Sequence, residues 1–199
     1  MSNGGQEDDY FRKIDQENIE KLRRERQLEA LRREERAGIA AALNTTEEVA
    51  QEALELGFDK ETAALLPLIP LLAVAWADGK ITTAEDEAVT EIAINRGIAL
   101  NSPAYQFLKD LLATRPSELF FERTTRVIVH LVQADAASWV KKSLPELCIE
   151  VAEASGGFFG LGNKVSPEER VLIEELAEQL KVADRVADQL PTLDKPDTL

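Results

Sequence analysis

The chain has 199 residues, 37 acidic against 23 basic side chains, and a formal net charge of −14. That length holds one domain of ordinary size plus an extension, and an apolar content of 44% is enough for a core. The acidic balance excludes a general nucleic-acid binder, which needs a basic surface for phosphate contacts, and works against adsorption to anionic lipid.

Cys148 is the single cysteine, so no intrachain disulfide can form, which fits a reducing compartment. The polar, acidic start lacks an apolar signal segment. The longest uncharged run, Thr62 to Ala77, is shorter than the ~20 residues a spanning helix needs and contains Pro67 and Pro70. A cytoplasmic protein without a transmembrane segment is the expectation.

In chain order, residues 1–43 form a charged helical arm. Acidic residues stand four before basic ones at Asp8/Arg12, Asp9/Lys13, Glu17/Lys21, Glu20/Arg24 and Glu29/Arg33, the orientation that supports a helix. The apolar stripe is thin: Phe11, Ile14, Ile19, Leu22, Leu28 and Leu31. Its register runs next into Asn18 and Lys21, which argues against a long coiled coil. The arm reads as a solvated helix, with partner binding through Tyr10 and Phe11 as the alternative. Its removal is expected to leave a folding domain.

Residues 44–190 read as an all-α domain, and 191–199 as a flexible tail. Thr45-x-x-Glu48 is a capping box opening a helix that ends at Gly57, and Asp59 caps the next segment. Pro67 and Pro70 interrupt that segment before a turn at 78–85. Thr82 or Thr83 caps a helix that Gly97 stops, and Ser102-Pro103 starts another ending near Thr114. Pro116 starts a long helix to about Ala136. A further helix over 138–154 carries Pro145 as a kink or break. A glycine-rich loop follows, then a helix from Ser166-Pro167 to about Leu180 and a short one over about 182–190. No stretch alternates long enough for a sheet.

One pattern occurs twice. Lys80, Ile81, Thr82 and Glu85 match Lys164, Val165, Ser166 and Glu169, 84 positions on, and Val89, Ile92 and Ala93 match Ile173, Leu176 and Ala177. This predicts an internal duplication with turns at 78–85 and 156–169. Asp78-Gly79-x-Ile81-x-x-x-Glu85 resembles the second half of an EF-hand loop, but Val74 and Trp76 occupy the earlier ligand positions. Calcium needs six to eight oxygens, so a self-contained site is not expected. Asp78, Glu85, Glu168 and Glu169 could still form one acidic face, binding a divalent cation weakly if at all. The plainer reading is that these carboxylates complement helix N-termini.

Gly157 to Lys164 has the glycine spacing of a phosphate loop, yet Lys164 is one residue late and Val165 replaces the required hydroxyl. Phe158 and Phe159 within it read as core residues, with presentation to a partner as the alternative. His130 reads as a hydrogen-bonded core residue, Cys148 as a buried small hydrophobe, and Trp76 and Trp139 as core anchors. No residue pattern nominates a catalytic group.

The doubled turn, Ala77-Asp78-Gly79-Lys80-Ile81-Thr82-x-x-Glu85 and Lys164-Val165-Ser166-Pro167-x-Glu169-Arg170, resembles the TerB-like domain family over roughly 58–182. That family takes in tellurite-resistance proteins and a domain of a membrane-anchored J-domain co-chaperone. The resemblance implies an all-helical, internally duplicated domain with an acidic cluster for metal ions or docking, here Asp78, Glu85 and Glu169. The second turn departs from the pattern, with Ser155-Gly156 and an insertion where an Asp-Gly should stand. Separately, Glu7-Asp8-Asp9-Tyr10-Phe11-Arg12 is similar to a stretch of mitochondrial ATP-synthase inhibitor proteins, which implies a helical inhibitor. The leading expectation is a non-enzymatic interaction module in a stress-response or envelope-associated complex. The alternatives are a divalent-ion sensor and an inhibitor acting through the arm.

Overall fold

The computed structural model describes residues 4–133, 138–154 and 165–180, with side chains at 12–132, 143–154 and 165–180. Among these the chain is all-α. The helices are α1 (Gly4–Leu43), α2 (Glu47–Glu55), α3 (Ile69–Ala75), α4 (Thr83–Asn95), α5 (Pro103–Ala113), α6 (Glu118–Gln133), α7 (Ser138–Ala154) and α8 (Pro167–Gln179), with a 3-10 segment Ala63–Leu68 leading into α3.

α3 is apolar on every side, and a helix of that kind must be buried. It forms the centre of the bundle, packed against α4, α6, α7 and α8. Ile69, Leu71, Leu72, Val74 and Ala75 are inaccessible or nearly so. Pro67 and Pro70 do not break the run. Pro67 sits in the 3-10 segment and Pro70 in the first turn of α3, where a missing N–H costs no helical hydrogen bond. Pro145 likewise lies within a continuous α7. Phe58 joins the α2–α3 connection to α5 and α6, edge-on to Phe107 at 5.5 Å and stacked on Phe120 at 6.2 Å. Trp76 is half-buried and anchored by its indole N–H, which donates to the Leu111 carbonyl at 3.0 Å.

Three helices end on a left-handed residue that lets the chain turn back and satisfy a terminal carbonyl. After α2, Gly57 has φ +92° and the Phe58 N–H reaches Ala53 O at 3.1 Å. After α4, Gly97 has φ +93° and the Ile98 N–H reaches Ala93 O at 3.0 Å. After α1 the same part is taken by Asn44, with φ 50° and the Thr45 N–H on Ala40 O at 2.9 Å. That bond commits Thr45 to ending α1. The expected Thr45 capping box therefore does not form, and Thr46 caps α2 instead, its hydroxyl accepting from the Val49 N–H at 3.5 Å.

The arm joins the core earlier than its composition suggested. Ile39 is fully buried and Leu43 nearly so. Lys60 Nζ lies 3.0 Å from Glu34 and 3.4 Å from Glu35, and Arg36 donates to Gln51 at 3.1 Å. Gly38 lets the helix pass so close to Lys60 that a Cβ there would stand 2.5 Å from the Lys60 Cβ. The last ten residues of α1 are thus domain, and the free arm ends near residue 33.

Candidate functional site

The two matched turns build identical helix starts. The Thr82 hydroxyl accepts from the Glu85 N–H at 3.2 Å, and Glu85 Oε2 accepts in return from the Thr82 N–H at 2.6 Å. At α8 the Ser166 hydroxyl accepts from the Glu169 N–H at 3.1 Å, and Glu169 Oε2 accepts from the Ser166 N–H at 2.6 Å. Each is a reciprocal capping box that satisfies donors at a helix N-terminus.

Neither carboxylate is presented on an open face. Glu85 is 2% exposed and Glu169 4%. The Glu169 carboxyl is pushed above its ordinary value, first by burial and further by the negative charges of Glu85 and Asp78, while its hydrogen bonds from Ser166 pull the other way. The fold therefore brings Asp78 and Glu85 near enough for their charges to act on Glu169. Asp78 is exposed and accepts from the Lys80 N–H at 3.1 Å. Glu168 is exposed and lines a hollow with Ala73, Arg115 and Phe121. Among the described residues, no three His, Cys, Asp or Glu side chains converge closely enough to hold a metal ion.

Asp86, one residue beyond the capping Glu85, ties α4 to α5 through Lys109 Nζ at 2.5 Å. His130 is not a core residue. Its side chain is 42% exposed, with Nδ1 3.6 Å from Glu52 Oε2, because its position on α6 falls at the edge of the buried stripe of Val127, Ile128 and Leu131. Cys148 is fully buried, and burial holds its thiol protonated. Phe158 and Phe159 lie outside the described residues, as do the side chains of Tyr10, Phe11 and Trp139.

The second notable surface is the arm. From Arg12 to Glu34 α1 is exposed almost throughout, including Ile19 at 49%, Leu22 at 55%, Leu28 at 54% and Leu31 at 58%. Glu20 and Arg24 pair at 3.5 Å along it. No helix among the described residues is long and apolar enough to cross a membrane.

No protein-family model, curated protein or solved structure matches this chain.

Proposed function

We propose that the protein is a non-enzymatic interaction module of TerB-like type, whose projecting helix engages a protein partner. The observation that carries this reading is the arm. Among the described residues, this helix leaves its own domain near residue 33 and still exposes four large aliphatic side chains, Ile19, Leu22, Leu28 and Leu31. Isolated ion-paired helices gain little from their own pairs, so burial of that apolar surface against another protein is the larger available stabilisation. Replacing Ile19, Leu22, Leu28 and Leu31 with serine should abolish capture of a partner while the domain keeps its melting transition. Unchanged capture would refute the reading.

A second reading rests on the charges of Asp78 and Glu85 acting on Glu169. Negative charges that act on a buried carboxylate are relieved by a basic group, which supports docking of a basic partner at this corner, and divalent-ion binding there would be weak because no three carboxylates converge among the described residues. Two of the three already spend an oxygen on capping, so binding should be weak. Calorimetric titration with calcium and zinc should show no tight site. A submicromolar, stoichiometric site lost in Glu85→Gln would favour ion sensing over the arm.

A further inference from the structure

Two apolar surfaces stand open on this chain, and they are complementary in charge. The first is a hollow of about 380 Å³ lined by α6, α8 and the end of α3, with Ala73, Ala77, Phe121, Val171 and Leu172 as its apolar part. A smaller one of about 70 Å³ shares Ala73 and Leu172 and extends to Glu175. Val171 is 52% exposed. The rim is acidic. Arg115 is held by Glu118 at 2.5 Å, whereas Glu168 and Glu175 are exposed and hold no ion pair among the described residues. The second surface is one face of α1. Arg24, Leu28 and Arg32 recur every four residues, with Lys21 and Leu31 beside them, so the five share a side of the helix. Leu28 is 54% and Leu31 58% exposed. Ile19 and Leu22 stand nine residues before the two leucines, half a turn out of phase, and face the other way.

We infer that the hollow between α6 and α8 seats the Leu28–Leu31 face of a second copy's arm. The inference rests on the reading of the arm as a partner-binding helix and names that partner. Residues 21–33 carry six basic side chains against two acidic ones, in a chain whose net charge is −14, so the rest of the chain is more acidic still. Two such chains repel through their domains, and the arm is the part of each that the other attracts. The spacing agrees as well. Glu168 and Glu175 are two turns apart on α8, about 10 Å, and Arg24 and Arg32 are about 12 Å apart with Leu28 midway. Leucines between basic residues therefore meet an apolar floor between acidic ones. Small residues on that floor, Ala73 and Ala77, admit a close approach. The arm does not fold back into the hollow of its own chain, since α1 runs unbroken from Gly4 to Leu43 and leaves Leu28 and Leu31 exposed.

The test follows the full chain by sedimentation equilibrium over a range of concentrations. A reversible dimer is expected, weakened by salt. Leu28→Ser with Leu31→Ser should raise its dissociation constant about a hundredfold, about tenfold for each leucine taken from an apolar seat. Ile19→Ser with Leu22→Ser should leave it unchanged. To locate the seat, chains with Leu28→Cys are mixed with chains carrying Val171→Cys and treated with a short bis-maleimide; Cys148 is buried and does not compete. Links between two chains should form about tenfold faster than with Glu91→Cys, on the exposed side of α4. A dimer that keeps its affinity without the two leucines, or equal linking to both cysteines, would overturn the proposal. A chain that stays monomeric throughout would do so too; if its arm still captures another protein, the reading of the arm stands and only its identification with a second copy fails.

Discussion

Removal of residues 1–33 and removal of residues 1–43 should have opposite consequences. The shorter truncation deletes side chains that, among the described residues, are almost all exposed, and with them the Glu20–Arg24 surface ion pair. Such losses are ordinarily within about 0.5 kcal/mol. The longer one also deletes Ile39, 0% exposed, and Leu43, 8% exposed, with the partners of Lys60. Buried Ile or Leu cut to alanine costs about 2–5 kcal/mol, so losing both outright removes about 4–10 kcal/mol. The whole stability of a domain this size is about 5–15 kcal/mol. Urea denaturation followed by circular dichroism should show an almost unmoved midpoint for the 34–199 fragment and a marginal or lost transition for 44–199. The packing argument is wrong if the 44–199 fragment melts like the full chain, or if the 34–199 fragment has already lost several kcal/mol.

Three further outcomes follow from single sites. Thr82→Ala and Ser166→Ala should each cost about 1 kcal/mol of unfolding free energy, because each removes one half of a capping box. Gly38→Ala should destabilise by about 1–3 kcal/mol despite alanine's better helix propensity, since the new Cβ meets Lys60 at 2.5 Å; a gain in stability would show that the contact relaxes freely. Glu169 binds its proton more tightly folded than unfolded, so its stabilising contribution is complete below the ordinary value of 4.5 and fades as pH rises through the folded one. Glu169→Gln should therefore gain on the wild type in thermal melts as pH is raised from about 4 to 7, and a constant difference would contradict the burial of a charged carboxylate.

The helix starts were legible because capping chemistry is local. Thr82, Ser102 and Ser166 each hold the side-chain bond their sequence context predicts. Thr45 failed for an equally local reason, since the end of α1 and the start of α2 compete for the same two threonines and Asn44 settles the matter by turning left-handed. What periodicity could not reveal was where α1 stops being arm, because Ile39 and Leu43 continue a stripe whose earlier members are exposed. It also could not tell which carboxylates face one another. Glu168 and Glu169 are neighbours in sequence, yet one is exposed and the other buried against its own cap. The matched turns show in local geometry as two like capping boxes, Thr82 with Glu85 and Ser166 with Glu169.

Partner engagement by the arm is tested most directly by photocrosslinking in living cells. A photoreactive phenylalanine would replace Leu22 or Leu28 in the full chain, and Glu91 on α4 as the control. The account predicts a discrete, higher-mass adduct from both arm positions and none from α4. Adducts of equal yield at all three positions, or none from the arm, would contradict it.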